Sequence, residues 1–224
     1  MTFSISARCP TTGMFGIAIA SSSPAVAARC AHVRAGVGVV ATQNITDPRL
    51  GPDGLDLMAR GASAIQARDI LVATHPHIDY RQLALIDARG RTATFSGSNT
   101  LGIHATVEGP GVVAAGNLLS RDGVPQAMVD SFVASDLPLA SRLLEAMKAG
   151  LTGGGEAGPV HSAGLLLARD VSWPIADLRV DWVDDGPIAS LAELWALYEP
   201  QLEAYVDRAL NPKAATRFGV PGDP

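Results

Sequence analysis

The opening of the chain alternates with a period of two: Phe3, Ile5 and Ala7 are apolar, whereas Thr2, Ser4 and Ser6 are small hydroxyls. Successive side chains of a strand point to opposite faces, so this spacing predicts a half-buried strand with Thr2, Ser4 and Ser6 on one face. The turn-forming stretch from Cys9 to Gly13 leads into a second strand over 14–22, and residues 2–22 are expected to form a β-hairpin.

A third strand is expected over 36–42, ending at Gln43 and Asn44. Asp47-Pro48 and Gly51-Pro52 mark a loop before two helices, 52–60 carried by Leu55, Leu57 and Met58, and 62–74 carried by Ile65, Ile70 and Leu71. The strand pattern returns at 81–87 and 91–96, and again at 103–108 and 112–116 around Gly109-Pro110-Gly111. Helices follow at 124–135 and 138–149, with Pro138 near the first turn of the second and Gly150 after its end. The glycine-rich stretch 152–158 is a loop within the domain, because another strand pair, 161–169 and 175–182, comes after it. One helix over 187–209 closes the fold, and residues 211–224 read as a flexible tail.

Strands and helices that arrive in blocks predict an α+β fold of stacked sheets sheltered on their outer faces, not the alternating βαβ of a Rossmann sheet. With 224 residues, 47% of them hydrophobic, residues 1–210 suffice for one domain around one sizeable core.

Several function classes are disfavoured. A net charge of −5 and no dense basic stretch argue against nucleic acid as a partner. The first fifteen residues lack a basic segment followed by an apolar one, and runs such as 164–168 are too short to span a bilayer, so a soluble, cytoplasmic protein without membrane partners is expected. Cys9 and Cys30 are then expected to be reduced thiols. His75 and His77 flank a proline with no third ligand at a recognised spacing, so no metal is expected. The triple glycine at 153–155 lacks the Gly-Lys-Ser/Thr ending of a phosphate loop, so no nucleotide cofactor is expected either. No Gly-x-Ser-x-Gly elbow is present.

Met1–Arg8, the segments TGMFGIAIASSS (12–23) and RAGVGVVATQ (34–43), the pair Gly116-Asn117 and DLRVD (177–181) together resemble the uncharacterised bacterial family called "domain of unknown function 1028". That family is placed in the N-terminal-nucleophile (Ntn) hydrolase-like superfamily, and the resemblance runs from Met1 to about Tyr205. It implies a four-layer α-β-β-α sandwich of two mainly antiparallel sheets, with the first residue of the mature chain as nucleophile in active members. Many relatives carry a lysine after the second strand, where this chain reads Ser22-Ser23-Pro24-Ala25-Val26-Ala27. Arg29, Arg34 or no cation at all takes that lysine's part.

Thr2 is the candidate catalytic residue. A threonine hydroxyl attacks only when something accepts its proton, and in the Ntn arrangement the residue's own α-amine does so. Threonine is small enough for removal of the initiator methionine, and an α-amine has a reference pKa near ~8, suited to a base at neutral pH. The alternative is that Thr2 is a β-branched residue opening a strand.

Gly116 and Asn117 are candidates for close approach to substrate and for donating to a developing oxyanion, or else form a locally satisfied turn. Ser22 and Ser23, at the end of the second strand, could orient the amine or bind substrate, or satisfy the turn before Pro24. Gln43 and Asn44 could hydrogen-bond an amide-like substrate. Arg179 shares a strand face with Asp177 and Asp181 and either binds an anionic group or joins an ion-pair network. Arg34 could steer a carboxylate, and Glu156 could reach a site if its loop acts as a lid.

The function expected is hydrolysis of a C–N bond in a small amide, cyclic amide or ureido metabolite. The alternative is a non-catalytic ligand-binding or assembly module on the same fold. Homo-oligomers are common, and Leu191, Leu194, Trp195 and Tyr198 form an apolar stripe suited to a core or a subunit interface, so self-association is expected.

Overall fold

The structure, a computed structural model, describes residues 1–215 and 217. The hairpin opens it as β1 (Thr2–Arg8) and β2 (Phe15–Ser21), followed by α1 (Val26–Cys30), β3 (Ala31–Arg34) and β4 (Gly38–Asn44). Helices α2 (Leu50–Ala59) and α3 (Ala64–Thr74) precede β5 (Arg81–Asp87), β6 (Thr92–Ser96), β7 (Ile103–Gly109) and β8 (Val112–Leu119). Then come α4 (Val124–Val133), α5 (Leu139–Thr152), β9 (Ser162–Ala168), β10 (Ala176–Val180), α6 (Pro187–Tyr198) and α7 (Leu202–Leu210).

The strands form two antiparallel sheets, one ordered β10-β9-β2-β1-β8-β7 and the other β3-β4-β5-β6. Three apolar clusters give four layers. Phe3, Ile5 and Ala7 of β1 pack with Met128 of α4, Leu143 and Met147 of α5 and Leu191 of α6. Ile17 and Ile19 of β2 and Val113 of β8 meet Val39 and Ala41 of β4 and Ile86 of β5 between the sheets. Val40, Leu83 and Leu85 on the other face of the smaller sheet pack under Leu50 and Leu55 of α2 and Ala67 and Leu71 of α3. The fold is thus the α-β-β-α sandwich implied by the resemblance. The hydroxyl face of β1 points to the second sheet, where Ser4 Oγ donates to Gln43 Oε1 of β4.

Several features differ from expectation: β1 is buried on both faces and not on one, and α5 runs through Gly150 to Thr152 instead of ending before it. Helix α1 and strand β3 were not foreseen: five and four residues are too few for a period to register. The closing helix is two helices separated by a 3₁₀ turn at Glu199–Gln201, because Pro200 has no N–H to continue the ladder. Leu191 and Trp195 of the apolar stripe are buried in the core, with Leu194 and Tyr198 packed against it. The tail expected over 211–224 lies largely outside the described residues, apart from a 3₁₀ turn at Pro212–Ala214. Among the described residues, no helix is long and apolar enough to cross a membrane.

Candidate active site

Register positions the site. Pairing of β1 with β8 sets Thr2 opposite Asn117 and Phe3 opposite Gly116, and pairing of β1 with β2 sets Phe3 opposite Ala20. Ser21, the last residue of β2, therefore stands beside Thr2. Thr2 is buried, and its Oγ1 and the Ser21 Oγ both donate to the Met1 carbonyl oxygen. The two hydroxyl oxygens are 3.4 Å apart. Ser21 Oγ also accepts from the Ser23 N–H at 3.0 Å.

A chain of buried carboxamides joins this end of the larger sheet to the smaller one. Ser4 Oγ donates to Gln43 Oε1 at 2.9 Å, and Gln43 Nε2 donates to Gln82 Oε1 at 2.8 Å. Gln82 Nε2 donates to the Gly116 carbonyl at 3.0 Å and to Ser96 Oγ at 3.1 Å. Asn117 Nδ2 donates to Gln82 Oε1 at 3.2 Å, while Asn117 Oδ1 is buried with no partner. In a low-dielectric interior such a chain holds its members in one geometry, because any break leaves a desolvated polar atom. Next to Asn117 the backbone of Leu118 is left-handed, with φ 49. A non-glycine residue held there stores strain, and such strain clusters at functional sites.

A third contribution comes from the loop after α5. Gly154 and Gly155, at φ +124 and +59, turn the chain back so that Gly155 O accepts from the Ser120 N–H at 3.1 Å. Glu156 then bridges to Leu119 of β8 and is buried. Its Oε2 accepts from the Ser22 N–H at 3.1 Å, and Oε1 has no partner. Burial pushes this carboxyl up to about 7, with the N-terminal amine and Ser22 pulling it down.

Thr2, Asn117, Gly116 and Gln43 therefore come together as one group. Ser22 and Ser23 adjoin it through their backbone N–H groups, and the side-chain hydroxyl beside Thr2 belongs to Ser21, one residue earlier than a simple register suggested. Asn44 ties loops to the end of β4, donating to the Tyr80 carbonyl at 2.6 Å and accepting from the Leu101 N–H at 3.2 Å. Two of the expected binding residues lie elsewhere. Arg34 pairs with Gly38, at the other end of β4 from Gln43, and bonds to Asp56 at 2.8 Å. Arg179 is on the edge strand β10, and its guanidinium grips Asp177 through bonds of 2.8 and 2.7 Å, which is the ion-pair reading of that strand face. Arg29 donates to the Pro24 and Ala25 carbonyls at 2.6 and 3.2 Å, so its charge too is engaged locally.

Sequence reasoning missed Ser21 and Gln82. Extending the hairpin register by one pair would have found Ser21; a glutamine inside the apolar run of β5 was the signal for Gln82. A cavity of about 340 Å³, bordered by Cys9, Met14, Leu139, Arg142, Trp195 and Glu203, lies at the turn end of the hairpin, away from Thr2. Among the described residues no three His, Cys, Asp or Glu side chains converge as metal ligands.

No curated protein matches the chain. Two structures of Anbu (ancestral beta-subunit), from Yersinia bercovieri and, as a Gly-1 mutant, from Hyphomicrobium sp. strain MC1, align at 13% identity and a TM-score of 0.38. They cover 91% and 98% of this chain and 97% and 100% of their own. A likeness at that level carries no inference. The crystal structure of protein SPO2555 from Silicibacter pomeroyi, of the DUF1028 family, is 32% identical, with a TM-score of 0.82 and 88% of each chain covered. The profile of DUF1028, a family of unknown function, matches residues 2–191. On both grounds, the profile match and the shared structure, the chain belongs to the DUF1028 family.

Proposed function

We propose that this chain is an N-terminal-nucleophile hydrolase of a C–N bond in a small amide, cyclic amide or ureido compound, with Thr2 as nucleophile once Met1 is removed. The supporting observation is the convergence of the Thr2 and Ser21 hydroxyls on one carbonyl oxygen, opposite Asn117. Loss of Met1 turns the Thr2 nitrogen into a primary amine and removes the carbonyl that holds both hydroxyls.

Thr2 Oγ1 then passes its proton to the Thr2 amine and attacks the substrate carbonyl carbon, forming a C–O bond and an oxyanion. Collapse breaks the C–N bond, and the Thr2 ammonium protonates the departing nitrogen. Water, deprotonated by the same amine, hydrolyses the threonyl ester and restores the site. Ser21 Oγ is placed to hold the Thr2 hydroxyl or amine. Asn117 Nδ2 has two N–H groups, one of them engaged by Gln82 and the other free to serve an oxyanion. Self-association, if it accompanies the activity, must use a surface other than the stripe of α6, whose Leu191 and Trp195 are buried within the subunit.

The test is intact mass of untagged protein from its native host, followed by an amide, lactam and ureide screen of the wild type and Thr2→Ala. The expected result is loss of one methionine residue and turnover that falls by at least ~10³-fold in the variant. Full retention of Met1, or equal turnover by Thr2→Ala, overturns the proposal in favour of a non-catalytic module.

A further inference from the structure

Glu156 is 5% exposed, yet only one of its carboxylate oxygens has a partner in the protein. Buried polar atoms in folded proteins are almost always paired, and a charged acceptor left open is costlier than a neutral one. An open carboxylate oxygen in a folded protein points to a missing donor, and the N-terminal amine is the one cation of the chain that draws on this carboxyl.

A pocket adjoins the residue, although Oε1 itself is shielded from solvent. Glu156 lines this pocket of about 240 Å³ together with Asp184, Asp185, Gly158, Leu151 and Ile188. Its walls combine three carboxylates with aliphatic side chains. The acids are spread around the pocket and do not converge as a metal's ligands do. The occupant they suit is an extended organic cation, with an alkyl part against Leu151 and Ile188 and an N–H-rich head at Glu156. Of the neighbouring polar groups, Asp184 Oδ1 accepts from Trp182 Nε1 at 3.3 Å, and Arg121 lies close behind Gly154 without lining the pocket.

Two residues of the pocket wall touch the segments that flank Thr2. Glu156 holds the N–H of Ser22, the residue after Ser21. Met1 lies over Gly158, so closely that a Cβ there would meet Met1 Cε at 2.8 Å. Met1 thus touches the pocket wall with its side chain and the Thr2 hydroxyl with its carbonyl, and its removal vacates space at both.

We propose that the pocket lined by Glu156, Asp184 and Asp185 is a recognition subsite for an alkylammonium or alkylguanidinium group, so that the preferred substrate is a small amide bearing such a cation. The link to an amide rests on the Thr2 reading; the cation subsite does not.

The two are separated by measuring binding apart from turnover. The probes are n-butylammonium and n-butylguanidinium, with n-butanol and butyrate as neutral and anionic controls, followed by saturation-transfer NMR on protein lacking Met1. Both cations are expected to bind and neither control to do so. Glu156→Gln weakens cation binding by about tenfold or more, and Asp185→Asn, at the exposed rim, by about two- to threefold. Thr2→Ala leaves binding unchanged. Butanol binding as tightly as butylammonium overturns the subsite, as does cation binding that survives both acid substitutions. Should Glu156→Gln fail to fold, probe selectivity on the wild type and the Asp185→Asn titration decide the matter. Glu156-dependent cation binding with no amide turned over leaves the subsite standing and removes the hydrolase. Thr2-dependent turnover indifferent to substrate charge does the reverse.

Discussion

Thr2 and Asn117 are directly opposed where β1 pairs with β8, and both are shielded from solvent. Opposed residues on paired strands have Cβ atoms about 5 Å apart, so hydroxyl and carboxamide keep their relation whatever the surrounding loops do. Asn117→Ala removes the donor to Gln82 Oε1 but leaves that oxygen its bond from Gln43. A stability loss of about 1–2 kcal/mol in urea denaturation is expected. If Asn117 donates to the oxyanion, kcat falls by roughly 10²-fold. A stability loss with undiminished kcat would confine Asn117 to holding the sheets together.

Ser21→Ala deletes the hydroxyl 3.4 Å from Thr2 Oγ1 and the acceptor of the Ser23 N–H. The fold should persist at a cost of about 1 kcal/mol. On the proposed mechanism, in which this hydroxyl orients Thr2 and does not hold the substrate, turnover should fall roughly 10²-fold with KM little changed. A change in KM alone would instead place Ser21 in substrate binding.

Gln82 is the hub through which the two sheets share hydrogen bonds. Gln82→Leu leaves Gln43 Nε2, Asn117 Nδ2 and the Gly116 carbonyl without their partner. The expected cost is about 4 kcal/mol. For a domain of this size that lowers Tm by about 8–16 °C, measurable by circular dichroism. A shift of under about 2 °C would mean that water substitutes for the amide.

The hairpin was legible in the sequence because a period of two marks β1 and its hydroxyl face, and the turn residues from Cys9 to Gly13 mark where the chain reverses into β2. Thr2 followed from that pattern and from its place after Met1. Asn117 followed from a short motif, although the strand carrying it runs to Leu119, three residues past the expected end. Long-range register was not legible. The meeting of Gln43 with Gln82 depends on how β4 lies against β5, and that of Ser22 with Glu156 on a loop returning across 134 residues. Arg34 and Arg179 looked available because a sequence shows their charge but not the carboxylates that engage it, Asp56 and Asp177.

The two thiols should differ sharply in reactivity. Both are free: Cys30 is buried, and that burial pushes its thiol up despite a contact with Thr46. Cys9 is half-buried, and although partial burial raises its thiol, hydrogen bonds from Thr12 and Thr11 bring it below the ordinary value. The thiolate is the reacting form, so iodoacetamide near neutral pH should label Cys9 and leave Cys30 untouched until the protein is unfolded. Mass spectrometry of the labelled peptides reads this directly, and equal labelling of both in the native state would contradict the packing around α1.

Glu156 should give the fold an unusual response to pH. Burial lifts its carboxyl from 4.5 to about 7, against the pull of the N-terminal amine and the Ser22 N–H. Asp184 and Asp185 line the same pocket, and Arg121 lies behind Gly154. Between 4.5 and about 7 the folded chain holds a proton that the unfolded chain has released, so this group's contribution to stability is full below that range and declines as pH rises through it. The shift corresponds to a loss on the order of 3 kcal/mol by about pH 8. Glu156→Gln cannot ionise, so it should exceed the wild type in stability at pH 8 and lack this decline, as measured by urea denaturation between about pH 5 and 8. Butylammonium should restore part of the wild-type stability at pH 8 and none of it in the variant, since a ligand stabilises only the state that binds it. Parallel stability profiles for the two proteins would show that the Glu156 carboxyl titrates normally and that its environment is wetter than the closed loop implies.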